Sequence, residues 1–373
     1  MLLDHLSIIN YRNLQQVELD LSPKLNCFFG QNGQGKTNLL DALYYLSFCK
    51  SASNPSDSQN ILHDQDFFML QGTYHRDSGI KEEVYCALKR QKKKVFKRNQ
   101  KEYQRFSQHI GLFPLVMVSP DDSVLIQGVG EERRRFMDQV ISQYDPAYLD
   151  ALIRYNKALE QRNTMLKRQD GVDEELFLIT EQLLADFAHK VSATRQRFLE
   201  EFIPSFQEIH SAISQHREPV SLNLKTHCLD ACQLLETLQK SREKERIIGY
   251  TLHGAHRDDL EMLLGGYPIR REGSQGQNKT FLVSLKLSQF MFLSKKSKEV
   301  PLLLLDDIFD KLDSGRVEQI IRLVGSERFG QIFITDTNRE NLDRILSRCG
   351  SEYRLFNVED GKVRPLNPEQ PRL

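Results

Sequence analysis

Three kinds of hydrophobic spacing follow one another along the chain. Up to about residue 120, short apolar runs and alternating stretches predict strands. Residues 8–20 alternate as a half-buried strand does, and Leu25-Asn26-Cys27-Phe28-Phe29 is a compact apolar run that ends at a glycine. Residues 38–48 have helical character, and a polar loop over 51–59, containing Pro55, follows them. Residues 67–75, 81–89 and 92–100 predict consecutive antiparallel strands joined by turns. A further apolar run, 113–118, is closed by Ser119-Pro120.

From 121 to 249 the period changes. Tyr148, Leu152, Tyr155 and Leu159 recur at three- and four-residue spacing, and so do Ile179, Leu183, Phe187, Val191, Thr194, Phe198 and Phe202. Such stripes predict amphipathic helices packed on one another, with Pro204 expected to kink or end the longer one. From 250 to 373 mixed α/β patterning returns. Residues 301–306 and 331–335 predict buried strands, each followed by a helix, and 353–366 predict a hairpin centred on Asp360-Gly361. The expectation is one α/β domain in two halves, 1–120 and 250–373, with the helical segment 121–249 inserted between them.

Composition narrows the class. At 373 residues the chain is long for one domain, and 39% hydrophobic residues with 21 Phe and 12 Tyr exclude wholesale disorder. Lys+Arg and Asp+Glu both count 51, so a uniformly basic, histone-like binder is excluded. No run of 18 apolar residues occurs, and Met1-Leu2-Leu3-Asp4-His5 lacks the basic start of a signal peptide, so the expected location is the cytoplasm. Six cysteines are scattered without paired two-residue spacing. His227, Cys228 and Cys232 cluster on one predicted helix, as metal ligands or, more simply, as small side chains of a reduced protein.

The chemistry begins at Gly30-Gln31-Asn32-Gly33-Gln34-Gly35-Lys36-Thr37, a full G-x-x-x-x-G-K-[ST] motif between a predicted strand and a predicted helix. Glycines let successive backbone N–H groups turn inward around an anion, and the helix start adds its positive dipole end. Lys36 is the expected partner of the β- and γ-phosphates of a nucleoside triphosphate, and Thr37 a Mg²⁺ ligand. The apolar run 301–305 then delivers Asp306, a second expected Mg²⁺ ligand, and Asp307, a candidate base for the attacking water. Lys36 and Asp306 stand 270 residues apart, which a large insertion between the halves of the site explains.

These motifs and several others resemble the ABC-type ATPase heads of the SMC-like group and, within them, the RecF family of bacterial DNA repair and replication proteins. The matching blocks are residues 6–13, 38–42, 119–122, 133–138, 253–259, 273–277 and 304–313, in order along nearly the whole chain. The resemblance implies a P-loop ATPase head (lobe I) with an inserted helical arm (lobe II). It implies that Ser274, Gly276 and Gln277 form a signature closing over ATP held by a second copy, that Asp313 is an interface-loop residue, and that Arg12 contacts nucleotide. The sequence departs from the family where an arginine usually follows the first helix, at Ser47-Phe48-Cys49-Lys50-Ser51-Ala52, and Asp307 replaces the usual glutamate. Thr335-Asp336-Thr337 stands where transporter ATPases carry a switch histidine.

Residues 89–105 hold nine basic residues and one acid, so the rest of the chain carries a net −8. On strands, Lys92, Lys94 and Arg98 would share one face, as a DNA-phosphate contact or as a solvated edge strand guarded by lysines. Charge alone does not choose between them. Arg133, Arg134 and Arg135 follow Glu131-Glu132, where intrahelical ion pairs are the default. The resemblance implies an ATP-dependent clamp on duplex DNA near single-stranded gaps, an ATP-driven homodimer with weak DNA-dependent ATPase activity. It would act with RecO and RecR to help load RecA, in recombination and the damage response. A membrane-transporter ATPase would need a fuller signature and the switch histidine, and a long SMC protein would need a coiled coil of hundreds of residues.

Overall fold

The computed structural model describes residues 1–54, 56–168, 173–216, 218–309, 312–339, 342–343, 345–346 and 352–366. The chain opens with β1 (Leu2–Tyr11), β2 (Leu14–Asp20), β3 (Leu25–Phe29), α1 (Lys36–Phe48), β4 (Phe67–His75), β5 (Lys81–Lys89), β6 (Val95–Arg98), β7 (Lys101–Glu102) and β8 (Leu115–Val118). Next come α2 (Val124–Gln127), α3 (Gly130–Ser142), α4 (Pro146–Leu166), α5 (Glu174–Ser214), β9 (Val220–Lys225) and α6 (Ala231–Ile248). The last stretch holds β10 (Asp259–Leu264), β11 (Tyr267–Pro268), α7 (Ile269–Glu272), α8 (Gln275–Lys296), β12 (Leu302–Asp306), α9 (Ser314–Val324), β13 (Ile332–Asp336), β14 (Tyr353–Glu359) and β15 (Lys362–Leu366). Two compact units result: Met1–Asp122 with Ala212–Ser214 and Lys279–Leu373, and Ser123–Ser211 with Gln215–Asn278.

The first unit is built on two sheets. One has the order β15-β14-β3-β13-β12-β8, parallel except for β15, and its central strands are continuous apolar runs buried on both faces. The other, β2-β1-β4-β5-β6-β7, is antiparallel, and β4 and β5 alternate between buried and half-exposed residues. Helix α1 packs against β1, β4 and β5 of one sheet and β8, β12 and β13 of the other. That position requires a helix apolar all round: Leu39, Leu40, Leu43, Tyr45, Leu46 and Phe48 are all buried, each such side chain contributing about 1.5–3 kcal/mol. Its one buried acid, Asp41, accepts hydrogen bonds from the Tyr11 hydroxyl, the Ala52 amide (2.7 Å) and Ser51 Oγ (3.0 Å), and pairs with Arg12.

The second unit combines the helices α3, α4, α5 and α6 with the small sheet β11-β10-β9. Buried arginines tie its helices together. Arg162 of α4 reaches Glu181 of α5 at 2.9 Å and Glu245 of α6 at 2.6 Å, all three side chains fully buried. Arg195 of α5 binds Asp138 of α3 and Asp258, both at 2.8 Å. A buried charge left without its partner is costly, so these pairs penalise any other helix register.

Several expectations change here. Residues 8–20 are two strands rather than one, joined by a tight turn at Arg12-Asn13. The helical segment does not end at 249: β9 and β10 pair from Val220↔Leu264 to Lys225↔Asp259, which keeps residues 250–278 in the second unit. Alternation at Val220, Leu222 and Leu224 was the available signal. α5 runs through Pro204 to Ser214, because Phe198, Phe202 and Phe206 remain buried on both sides of it. Ile179 and Leu183 are about half exposed, while Phe177, Leu184, Ala185 and Ala188 are buried instead. Steps of four residues advance about 40° each around a helix, so a stripe beginning at Ile179 has left the face of Val191. The helix expected after 331–335 falls partly outside the described residues, as do Pro55 and Cys349.

Candidate functional site

The phosphate loop hangs between β3 and α1, and its glycines have identifiable duties. A Cβ on Gly30 would come within 2.2 Å of the Val358 carbonyl oxygen, so only glycine lets the loop leave β3 against β14. Gly35, at φ 115°, turns the chain into α1 with its Cα against the Asn13 side chain. No side chain caps α1 and no acid sits in its first turn, which leaves the N-terminal N–H groups and dipole end to an anion. Two neighbouring turns brace the loop. The Asp360 and Gly361 amides of the β14–β15 turn donate to Gln34 at 2.5 and 3.2 Å, and Asn13 accepts from Asn38 Nδ2 at 2.7 Å.

Lys36 Nζ donates to the carbonyls of Gly30 (2.8 Å) and Gln31 (3.0 Å). Burial lowers its pKa, and the charges of Asp307, Asp306 and Asp336 oppose that shift. Asp306, at the end of β12, accepts from Thr37 Oγ1 at 2.9 Å and from Thr335 Oγ1 at 2.6 Å. Its pKa is raised by burial, with Asp307 adding to the rise and the two threonine hydroxyls and Lys36 working against it. Asp307 follows in the left-handed region, φ 47°, with its amide directed at Thr335 (3.2 Å to Oγ1). Thr37 and Asp306 thus put a hydroxyl and a carboxylate oxygen side by side, the hard-donor pair that Mg²⁺ accepts when phosphate and water complete its shell. Among the described residues no group of three or more acid, histidine or cysteine side chains is placed to hold a metal ion.

The family described as RecF/RecN/SMC N terminal domain matches residues 2–363. The DNA replication and repair protein RecF of Bacteroides thetaiotaomicron is 62% identical over 370 residues, covering 99% of this chain and all of that one. Its counterpart in Porphyromonas gingivalis is 50% identical, covering 97% of this chain and all of that protein. The chain belongs to the RecF family. Among solved structures, that of the recombination mediator protein RecF-ATP in the RecFOR pathway superposes with a TM-score of 0.88 at 29% identity, over 98% of both chains. An Smc head domain from Pyrococcus furiosus, at 16% identity and a TM-score of 0.58, shares the fold. That fold is the ABC-type ATPase head.

Within this RecF-family chain the other expected residues fall as follows. The Ser274 amide donates to Gln277 Oε1 at 2.9 Å and the Gln277 amide to Ser274 Oγ at 3.3 Å, a reciprocal capping box where α8 begins, with Gly276 in its first turn. Asp313 caps α9, accepting from the Arg316 amide at 2.9 Å. Asp310 and Lys311 lie outside the described residues. Arg12 spreads its guanidinium over Asn38 (2.8 Å), Ser51 (2.8 Å), Ser53 (2.5 Å), Asn60 (3.3 Å) and Asp41, so it joins the β1–β2 turn to α1 and the loop after it. Arg135 pairs with Glu131 and Glu132 on its own helix, and Arg133 with Asp259.

The ribbon needs the clearest correction. Lys92 sits in a turn, and only Val95–Arg98 forms a strand. Lys94 and Arg98 do share a face, but it is the core face, because fully buried Phe96 lies between them. Lys94 Nζ binds Asp57 at 2.6 Å and the Cys49 carbonyl at 2.6 Å, under the rings of Tyr45 and Phe106. Arg98 makes a two-pronged pair with Glu82, at 2.6 and 2.7 Å. Burial works to raise the Glu82 pKa, but Arg98 and Arg76 outweigh it and hold the carboxyl low. Lys89, Arg90, Lys92 and Lys93 are exposed at the β5–β6 turn.

Sequence reasoning missed Thr335, which holds Asp306, and passed over Asp336. Both end a buried parallel strand beside β3, and side chains at the carboxyl ends of adjacent parallel strands converge. That rule was the available signal.

Proposed function

We propose that this chain binds Mg-ATP on the phosphate loop and that two copies then close around duplex DNA beside single-stranded gaps, in the cytoplasm, until slow hydrolysis releases them. The observation that carries the reading is the uncapped start of α1 with Thr37 Oγ1 2.9 Å from the Asp306 carboxylate. The RecF-ATP structure of a relative supports it. Thr37 and Asp306 would hold the magnesium ion, which when bound supplies positive charge against the phosphates. Lys36 contributes the fixed ammonium, and Asp307 orients the attacking water. Ser274 completes the site from the second copy: its oxygen accepts the Gln277 amide, leaving its own proton for an anion. In recombinational repair and the damage response, the clamp would act with RecO and RecR to help load RecA, as the pathway named for the solved relative suggests. No helix among the described residues is long and apolar enough to cross a membrane.

Light scattering with and without Mg-ATP and gapped DNA tests the dimer. Ser274→Arg places bulk and positive charge where the partner's nucleotide would lie, so it should leave ATP binding by the monomer nearly intact and block dimerisation. Normal dimerisation of that variant would defeat the shared-site reading.

DNA contact belongs to the outward lysines in this reading. Changing Lys89, Lys92 and Lys93 together to Gln should weaken duplex binding and flatten the slope of log K against log salt by up to about 2.7. Lys94→Gln and Arg98→Gln should instead lower the melting temperature, since each strips a partner from a carboxylate in the fold. An unchanged slope in the triple variant would leave the turn as a merely solvated edge.

A further inference from the structure

A hairpin near the far end of the chain grips the phosphate loop from outside. β14 lies beside β3, with Asn357 in register with Phe29, and the Val358 carbonyl meets the loop at Gly30. The turn from β14 to β15 has two residues, both left-handed: Asp360 at φ 48° and Gly361 at φ 72°. Such a turn matches the twist of the strands it joins. Its two successive amides converge on one residue. That of Asp360 donates to Gln34 Oε1 at 2.5 Å, and that of Gly361 to the Gln34 carbonyl at 3.2 Å. From the β1–β2 turn, Asn13 Nδ2 donates to the Gly33 carbonyl at 3.4 Å. The two turns also abut, since a Cβ on Gly361 would come within 2.0 Å of the Asn13 carbonyl oxygen.

A trans peptide unit points its C=O and N–H in opposite directions. Drawing the Gln34 carbonyl toward Gly361 aims the Gly35 N–H away from the hairpin. Drawing the Gly33 carbonyl toward Asn13 likewise aims the Gln34 N–H away from the β1–β2 turn. Among the described residues no acceptor meets the Gly35 amide, which stands just before the uncapped first turn of α1. Backbone amides hold an anion best when they already point at it, because no affinity is then lost to turning peptides. We propose that the β14–β15 turn, through Gln34, presets the phosphate loop for anion binding, and that Gln34 and Gly361 are positioning residues. The Gln34 side chain faces the turn, and what it fixes is the peptide unit that carries the Gly35 donor. The inference rests on the nucleotide reading of the phosphate loop.

The test uses the full chain and two variants. Gln34→Met keeps the side-chain length and removes the oxygen that accepts the Asp360 amide. Gly361→Ala puts a methyl group against the Asn13 carbonyl and pushes the turn off the loop. Each should raise KM for Mg-ATP about five- to tenfold and leave kcat within about twofold, because the amides hold phosphate in ground and transition states alike. Calorimetry with Mg-ADP should show a loss of the same size. The double variant should lose little more than the worse single one, as both act on one contact. Thermal unfolding checks each fold, and Gln34→Met alone decides if Gly361→Ala does not fold. An unchanged KM in either folded variant would overturn the proposal. So would a fall in kcat at constant KM, the mark of a smaller folded fraction, or losses that multiply in the double variant. A wild-type chain that binds neither Mg-ATP nor Mg-ADP would instead bring down the nucleotide reading, and this inference with it.

Discussion

Lys36→Met should reduce ATP affinity by at least about a hundredfold, the scale expected when a charge-assisted contact to phosphate is lost in a confined site. The local electrostatics make the loss steep. Lys36 is the ammonium on which Asp306, Asp307 and Asp336 all act, and without it less positive charge offsets the acids beside the triphosphate. The fold should survive the change. Methionine has similar length, the buried position no longer has to desolvate a charge, and the cost is the donor lost to the Gly30 and Gln31 carbonyls. Calorimetry with Mg-ATP and a melting curve on one sample separate the two effects. Affinity within a few-fold of wild type, with the fold intact, would mean that Lys36 does not meet the phosphates.

Asp307→Asn should keep Mg-ATP binding and stop hydrolysis, so that the ATP-bound dimer accumulates on DNA. Asp306 is the acid tied to Thr37 and Thr335, and its removal should weaken Mg-ATP binding itself. Asp307 donates its backbone amide to Thr335, in a left-handed turn that swings the residue out of the strand. Aspartate also ends one methylene short of glutamate, and a base must come within about 2.6–3.2 Å of the water it orients or work through another. Turnover well below the roughly 10 s⁻¹ typical of enzymes is therefore expected even in the wild type. ATP turnover and dimer lifetime on gapped DNA, measured for both variants, decide the assignment. Hydrolysis at the wild-type rate by Asp307→Asn would place the base elsewhere.

The glycine-loop half of the candidate site was legible because its geometry is local. A glycine loop, a lysine and a threonine must follow one strand and open one helix within eight residues, and Gly30 to Thr37 do so. The same holds for Asp306, carried at the end of an unbroken apolar run, and for the Asp360-Gly361 hairpin turn. The signature was readable only by resemblance; what local spacing does specify there is a helix start, since Ser274 and Gln277 have the spacing of a capping box and form one.

What the chain's own order of residues determined, then, is each element whose stability is settled within one turn or one strand: apolar β3 and β12, the uniformly apolar α1, the phosphate loop between them. The tertiary structure decided the matters that depend on which face is covered. It turned Lys94 and Arg98 inward, because buried Phe96 sets the parity of β6 and Asp57 and Glu82 wait on the core side. Nothing within residues 92–98 names those partners. It carried α5 through Pro204, where the buried phenylalanines outweigh one lost hydrogen bond, and drew residues 250–278 into the second unit through the pairing of β9 with β10. It also brought Thr335 and Asp336 beside Asp306, since strands adjacent in a parallel sheet need not be adjacent in sequence. Local spacing can specify the period of a strand or a helix, but side-chain burial and sheet order are set by contacts between distant segments, and their energies exist only once the chain has closed on itself.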